Sequence, residues 1–443
     1  MKLDKLLERL DYTVVQGSDS TEVTTLINDS RKVEEGSVFV CISGAVSDGH
    51  KYAADVAAKG AAAVVVEKDV EVPENVTVIK VEDTRYALAL MSAAYFGYPA
   101  DKMKVIGITG TKGKTTTTYM IKSILEETGH KVGLIGTIEA IIGDKKIPSC
   151  NTTPESYTIH KYFAEMVEAG CDCVVMEVSS QGLMLHRTAG IPFEIGIFTN
   201  LGRDHIGPKE HKDMAEYAHY KSLLFQKCCF GIGNIDDPYY REIFKDASCQ
   251  VCTYSCRQKA DVQASDIMLV NRNGQLGTFF KVNGEEYAVS APGEFSVYNA
   301  VAAITVCRHY GIDQEIIRKA LKTIRVPGRV EVIDNDRGYL LLIDYAHNAM
   351  SLKNILETMR RYHPRQLWVL FGCGGGRSAA RRREMGRVAG RYADFTVITS
   401  DNPRYEEPER IMQTIEEGMK ETKGQYQMMV DRKEAMRFML AQG

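Results

Sequence analysis

The stretch GITGTKGKTTTTYM, residues 107–120, follows the apolar pair Val105-Ile106 and runs into the amphipathic segment MIKSILEETG. Strand, glycine-rich turn and helix in that order make a phosphate-binding loop. Glycines let backbone N–H groups converge on oxygens, a lysine reaches the terminal phosphates, and a hydroxyl holds Mg²⁺ at the helix N-terminus. Gly110, Gly113, Lys114 and Thr115 fill those places. The general pattern GxxxxGK[ST] asks for glycine at 108, where Ile108 stands, so the match is GxxGKT with Gly107 one place further back. The loop alone is compatible with a motor, a switch GTPase or a kinase, and the discriminating residues lie downstream.

Outward from the loop, apolar runs (VIGIT, KVGLIG, CVVMEV, IGIFTN, FGIGNI) alternate with helical segments such as YTIHKYFAEMVEAG and MAEYAHYKSLLFQK. That alternation predicts right-handed crossovers and a parallel sheet covered by helices. Asn273-Gly274 and Asn283-Gly284 separate short alternating runs, which predicts β-hairpins appended to the sheet. Before the loop, a helix, the strands VFVCI and AAAVVVE and the segment HKYAADVAAKGAAA form a smaller α/β unit that ends at GYPADKM. After Val326-Pro327-Gly328 the alternation resumes (YLLLIDYAH, LWVLFGCGG, DFTVITS, YQMMVD). The expected fold is α/β in three domains. Residues 1–98 are the small N-terminal domain, 99–326 a central P-loop parallel-sheet ATPase domain with the hairpin region, and 327–443 a Rossmann-like C-terminal domain.

Composition narrows the function classes. At 443 residues the chain exceeds a single core, and 44% hydrophobic with 26% charged residues is the balance of a soluble globular protein. A net charge of -3 offers no global attraction for nucleic acid. No apolar run approaches the length of a membrane span, and MKLDKLLERLDY lacks the apolar core of a signal peptide, so a cytoplasmic protein without membrane insertion is expected. The 11 cysteines are scattered and read as reduced thiols. Cys249, Cys252 and Cys256 contain a CxxC but have no second CxxC or HxxxH nearby, and read as structural rather than as zinc ligands.

Two strand ends carry the chemistry. Glu177 closes CVVMEVSS and His205 follows FTNLGRDH, which puts a carboxylate and an imidazole at the carboxyl edge of the sheet, where open α/β folds bind ligands. Beside a phosphate loop, both are expected to face it.

GITGTKGKTT, NTTP (151–154), MEVSSQGLMLHR (176–187), FTNLGRDH (198–205), HYKSLLF (219–225), PGR (327–329), DYAHN (344–348), FGCGGGR (371–377) and SDNPR (400–404) together resemble the Mur ligase family. The likeness runs in order through all three domains. NDSRKVEEGSVFVCISGAVSDGH (28–50) resembles the uridine-nucleotide domain of the branch that adds the third amino acid of the muramoyl peptide. The resemblance implies an ATP-dependent ligase that joins an amino acid to the D-glutamate carboxylate of UDP-MurNAc-L-Ala-D-Glu through an acyl phosphate, in peptidoglycan assembly. It implies ATP at Gly110, Thr111, Lys112, Gly113, Lys114, Thr115, Thr116, Asn299, Arg329, Asp344 and His347. It implies the UDP-MurNAc-peptide at Ser30, Asn151, Thr152, Thr153, Ser179 and Arg187. Lys114, Glu177, His205 and Lys221 would be catalytic, with Thr115, Glu177, His205 and Lys221 holding two Mg²⁺ ions. Lys221 would be carboxylated by CO₂, since an ammonium cannot ligate Mg²⁺ and a carbamate offers hard oxygen donors. The partners implied are these small molecules, with no nucleic acid, and the expected state is a monomer.

The incoming amino acid is chosen, in this family, by the loop Asp401, Asn402, Pro403 and Arg404. Arg404 can fork onto the distal carboxylate of meso-diaminopimelate, a group that L-lysine lacks. DNPR resembles the diaminopimelate-adding branch, whereas DHIGPKEH and DYAHNAMSL resemble lysine-adding relatives; the arginine chemistry favours diaminopimelate. The chain departs from the family pattern at Lys112, commonly Asn, which adds a cation beside the phosphates, and at Gln181, often His. IGPKEH lengthens the interval between His205 and Lys221, and FGCGGGRSAARRR lacks an Asp after its glycines. The family's GKGHE segment is expected just beyond Gly443, so the C-terminal domain reads as truncated. Two other readings compete: a non-catalytic Mur-ligase-like nucleotide-binding or scaffold protein, and a sister ligase such as folylpolyglutamate synthetase.

Overall fold

VIGIT becomes the strand Lys104–Thr109, buried on both faces, with Cys173–Glu177 and Phe193–Phe198 parallel to it on either side. Near-continuous apolar runs of this kind belong inside a helix-covered parallel sheet, and the computed structural model, which describes residues 1–44, 47–207, 210–272 and 275–442, places them there. The chain divides into two compact units, Met1–Gln263 with Tyr298–Ala320, and Ala264–Val297 with Leu321–Gly443.

In the first unit the parallel strands run Gln250–Ser255, Cys228–Asn234, Phe193–Phe198, Lys104–Thr109, Cys173–Glu177, Val132–Ile135. Two short antiparallel strands, Glu139–Ile142 and Lys145–Pro148, extend the sheet beyond Val132–Ile135. The parallel register aligns strand ends: Glu177 lies opposite Ile108, and Phe198 opposite Thr109. Glu177, the phosphate loop and Thr199 therefore emerge together at the carboxyl edge. The helices Lys114–Glu127 and Ser156–Glu168 return the chain, and Ile159, Phe163 and Met166 bury the inner face of the second.

The first 98 residues carry their own five-stranded sheet, in the order Thr13–Gln16, Thr77–Lys80, Ala63–Val66, Val38–Val40, Leu26–Ile27. Alternation along these strands supplies two cores. Val38, Val40 and Val65 pack with Leu3, Leu7 and Met91, while Phe39, Val64 and Val66 pack with Val56 on the other face. Asp83 caps the helix Thr84–Tyr95 by accepting from the Tyr86 N–H.

The second unit contains three parallel strands, Trp368–Phe371, Phe395–Thr399 and Gln425–Met429, packed through Phe371, Ile398, Met385, Ile415 and Met419 against the helices Ala379–Tyr392 and Pro408–Lys420. YLLLIDYAH, read as the first strand of this alternation, instead gives a short strand, Leu341–Ile343, antiparallel to Glu331–Ile333. The hairpin strands Gln275–Val282 and Glu285–Val289 also lie in this unit. Asn283 and Gly284 both have positive φ (51° and 89°), as a two-residue hairpin turn of the expected type requires; Asn273-Gly274 lies outside the described residues. All eleven cysteines are free thiols. Among the described residues no helix is long and apolar enough to cross a membrane.

Candidate active site

The phosphate loop is held open from behind by the next strand end. Gly110 has φ +145°, and a Cβ on it would stand 2.0 Å from Thr199 Oγ1; Gly113 has φ +87°, and a Cβ there would stand 2.4 Å from Asn299 Oδ1. The Thr111 N–H donates to the Asn200 carbonyl at 2.8 Å, and the Lys112 N–H donates to Asn200 Oδ1 at 2.9 Å. Thr199 Oγ1 and Asn200 Nδ2 in turn donate to the Lys112 carbonyl at 2.7 and 3.0 Å. Lys114, first residue of the helix, folds its Nζ back onto the Gly110 and Thr111 carbonyls at 2.8 and 3.2 Å. Thr115 is buried at the next position and Thr116 half-buried. Asn299, expected from the resemblance to touch ATP, lies against the Gly113 turn and accepts from Thr117 Oγ1 at 3.4 Å.

Lys221 reaches this loop from the helix Met214–Ser222. It is 1% exposed, its Nζ donates to the Gly110 carbonyl at 3.0 Å, and it lies 4.6 Å from the centroid of the Tyr217 ring. Burial, reinforced by the charge of Lys114, holds its ammonium well below the ordinary lysine pKa, with Asp204 opposing. Lys112 Nζ pairs with Asp204 Oδ2 at 3.2 Å. Burial pushes the Asp204 carboxyl up, but Lys112 and His205 outweigh it and hold the group below the usual carboxylate range.

Glu177 is buried at its strand end, where Oε1 accepts from the Thr137 N–H at 2.8 Å and Oε2 from the Thr137 hydroxyl at 3.0 Å. Thr137 shares a 3.0 Å hydrogen bond with Thr152. Thr153 donates to the Glu177 carbonyl at 2.9 Å and accepts from the Ser179 N–H at 2.9 Å. Ser179 caps the short helix Ser180–Met184, and Arg187 Nη1 donates to the Thr153 carbonyl at 2.9 Å. The sequence-predicted set Thr152, Thr153, Glu177, Ser179 and Arg187 is thus one connected network. Thr137 is the member that sequence reasoning missed. Asn151 stands exposed beside it, and Ser30 lies in the N-terminal sheet region, its carbonyl accepting from Lys59 Nζ at 2.9 Å.

His205 has φ +56° and a half-exposed ring whose Nδ1 lies 3.0 Å from Glu210 Oε1. A second histidine, absent from the sequence reading, is joined to it through the backbone, the His211 N–H donating to the His205 carbonyl at 3.0 Å. His211 is fully buried between the rings of Tyr217 and Tyr220, with Nε2 2.8 Å from Ser180 Oγ. Its only sequence signal was its place in IGPKEH, the run that lengthens the interval between His205 and Lys221.

The remaining predicted residues lie in the second unit. Arg329 stacks on Tyr345, its Cζ 4.4 Å from the ring centroid. Asp344 accepts from the Val330 and Ala346 N–H groups, and His347 gives its carbonyl to Arg381 Nη2 at 2.7 Å. Tyr345, His347, Asp401, Asn402 and Arg404 line a cavity of about 220 Å³ together with Cys373, Gly374, Arg377, Arg381 and Arg382. Pro403 adjoins it in sequence. Arg404 has φ +55°, and the buried Arg382 forks onto Glu406 at 2.8 Å through each nitrogen, which fixes the loop edge. Arg377 and Arg381 make the cavity more cationic than DNPR alone indicated.

Among the described residues no three His, Cys, Asp or Glu side chains cluster as a ready cation site. A hard cation beside the loop therefore needs other donors added to Glu177 and His205. The Thr115 hydroxyl would be one. The amine of Lys221, buried where a bare ammonium would cost on the order of several kcal/mol, supplies another if converted to a carbamate. With that conversion Thr115, Glu177, His205 and Lys221 would offer donors of a chemical kind that Mg²⁺ accepts.

Three family models match the chain in succession. Residues 22–96 match the Mur ligase family catalytic domain, 108–307 the Mur ligase middle domain, and 328–443 the Mur ligase glutamate ligase domain. A UDP-N-acetylmuramoyl-L-alanyl-D-glutamate–2,6-diaminopimelate ligase of Clostridium perfringens is 43% identical over 99% of this chain and 91% of its own. The enzyme of the same name from Clostridium tetani is 42% identical over 99% of this chain and 90% of its own. A solved structure of a ligase of that name matches with a TM-score of 0.72 at 27% identity, covering 100% of this chain and 91% of the other.

Proposed function

The chain belongs to the Mur ligase family, and on that premise we propose that it is the ATP-dependent ligase that adds meso-diaminopimelate to the D-glutamate of UDP-MurNAc-L-Ala-D-Glu. The observation that carries the reading is the meeting of Lys221, fully buried, with the phosphate loop at the Gly110 carbonyl. A pseudoenzyme that merely held nucleotide would have no need of a buried amine there. Relatives named as diaminopimelate ligases support the ligase over the scaffold and folylpolyglutamate readings, and the cationic cavity around Arg404 supports a substrate with a second carboxylate.

In this reading residues 1–98 bind the uridine nucleotide, 99–326 bind ATP and 327–443 bind the amino acid; the boundaries of the three family matches support the division. The loop N–H groups, Lys114 and Asn299 orient the triphosphate. Arg329, Asp344 and His347 contribute to ATP from the C-terminal domain. Thr152, Thr153, Ser179 and Arg187, tied to one another and to Glu177, hold the muramoyl peptide so that its D-glutamate carboxylate faces the γ-phosphate. That oxygen attacks phosphorus and ADP leaves. The amine of diaminopimelate then attacks the acyl carbon, and phosphate leaves with the carboxylate oxygen. Lys221 as a neutral amine adds CO₂ and loses a proton to become a carbamate. Thr115, Glu177, His205 and that carbamate would hold Mg²⁺, which when bound neutralises phosphate charge. The protein works as a cytoplasmic monomer in this account.

Phosphate release from ATP, measured with UDP-MurNAc-L-Ala-D-Glu and either meso-diaminopimelate or L-lysine, tests the assignment. Turnover with diaminopimelate and little with lysine is expected; turnover with neither, or preference for lysine, would overturn the ligase or the selector reading respectively.

A further inference from the structure

Two thiols lie side by side next to the turn that follows Lys221. Gly196 and Gly231 are register partners on the parallel strands Phe193–Phe198 and Cys228–Asn234, so the notches left by their missing side chains adjoin on one face of the sheet. Cys228 Sγ fills one, 2.9 Å from where a Gly196 Cβ would stand, and Cys249 Sγ fills the other, 2.8 Å from a Gly231 Cβ. Burial pushes the Cys228 thiol pKa up, and the neighbouring Cys249 thiol adds to it. Cys228 is buried and Cys249 partly exposed. The other cysteines nearby are placed differently. Cys229 adjoins Cys228 in the chain and is exposed, and Cys252 lies opposite Ile232, one register place beyond Gly231, so its side chain leaves the other face of the sheet.

The pair brackets the end of the helix that carries Lys221. The Leu224 N–H donates to the Lys221 carbonyl at 3.4 Å, and the Cys228 N–H donates to the Leu224 carbonyl at 3.1 Å. From the other side, the Ser248 N–H donates to the Phe225 carbonyl at 3.2 Å and Ser248 Oγ to the Gln226 carbonyl at 3.1 Å. We propose that Cys228 and Cys249 are an oxidation site: a peroxide converts the pair to a disulfide, which fastens the turn at residues 223–227 to the start of the strand Gln250–Ser255 and so acts on the helix end that carries Lys221. The partly exposed Cys249 sulfur attacks one peroxide oxygen, the O–O bond breaks, and the departing hydroxide takes the thiol proton as water. The Cys228 sulfur then displaces the sulfenic oxygen, which leaves with the Cys228 proton as a second water. Two thiols and one hydrogen peroxide thus give one disulfide and two waters, sulfur being oxidised and peroxide oxygen reduced. The bond is independent of the ligase reading; only its effect on turnover rests on it.

The full chain, treated with hydrogen peroxide, alkylated and digested without reductant, is read by mass spectrometry for a peptide pair carrying Cys228 and Cys249. A linked pair lighter by two hydrogens is expected, and dithiothreitol should reverse it. Amide hydrogen exchange across residues 223–228 should slow about tenfold in the oxidised protein. Ligation turnover should fall about fivefold and return with dithiothreitol, as the helix end behind Lys221 is displaced. Cys249→Ala, which lies outside the phosphate-loop network, should keep the turnover of the reduced wild type and lose both responses to peroxide. A link from Cys249 to Cys229 or Cys252, or sulfinic acid on Cys249 with no link, would overturn the pair. A mapped Cys228–Cys249 bond with unchanged exchange and turnover would overturn its hold on the Lys221 helix. A chain that forms the bond and slows exchange but ligates in neither state would overturn the ligase reading and keep the thiol pair.

Discussion

Lys112 Nζ donates to Asp204 Oδ2 at 3.2 Å, tying the phosphate loop to the segment that carries His205. The extra cation that the sequence placed beside the phosphates is thus engaged by a carboxylate on the neighbouring strand's extension. Lys112→Asn shortens the side chain below the reach of Asp204 and leaves the N–H contact to Asn200 in place. The pair is partly solvated, so its loss should cost about 1 kcal/mol at most. The expected result is a roughly two- to fivefold rise in the KM for ATP with kcat nearly kept and Lys112→Arg close to wild type. Unchanged KM in Lys112→Asn would show that the tie does not position the loop.

His160 predicts a pH dependence of stability. It is fully buried in the helix Ser156–Glu168, neither ring nitrogen has a hydrogen-bond partner, and burial pushes its pKa down from 6.5 to about 4. Below 6.5 the unfolded chain takes up a proton that the folded chain refuses until about pH 4. Stability from this group is therefore complete above pH 6.5 and lost as pH falls toward 4, by about 2 kcal/mol between 6.5 and 5. Urea unfolding of wild type and His160→Phe at pH 7 and pH 5 should show that the variant lacks this part of the decline. Identical pH slopes would contradict it.

Gly113→Ala places a Cβ 2.4 Å from Asn299 Oδ1 on a backbone with φ +87°. The strain should cost about 1–3 kcal/mol and open the loop. Reduced unfolding free energy with nucleotide binding weakened at least tenfold is expected. A pairing with Asn299→Ala should relieve part of the stability loss but not the binding loss, because the φ strain remains; full recovery of both would place the whole effect in the clash.

Arg404→Ala should raise the KM for meso-diaminopimelate at least tenfold while moving that for ATP less than twofold, because its fork serves the distal carboxylate. Equal shifts in both constants would make Arg404 a structural residue of the loop beside Gly376.

How much of this was legible in the sequence follows from the range of the interactions. The loop and its flanking strand and helix are local, so VIGITGTKGKTT was enough to place Gly110, Gly113, Lys114 and Thr115. Glu177 was legible as a strand end, but its partner Thr137 was not, because only the sheet order, with Ile135 opposite Met176, brings the two together. His211 was not singled out in the sequence because its burial comes from Tyr217 and Tyr220 of the helix that follows it. The strand assignment for YLLLIDYAH missed its partner because an isolated apolar run does not say which strand it will pair with.

The central claim is that ATP's phosphate passes to the D-glutamate carboxylate. It is tested most directly by labelling that carboxylate with ¹⁸O, supplying ATP and meso-diaminopimelate, and weighing the phosphate released. The account predicts one ¹⁸O atom carried into inorganic phosphate for each amide formed. Amide formation with unlabelled phosphate, or ATP hydrolysis that proceeds without the muramoyl peptide, would contradict it.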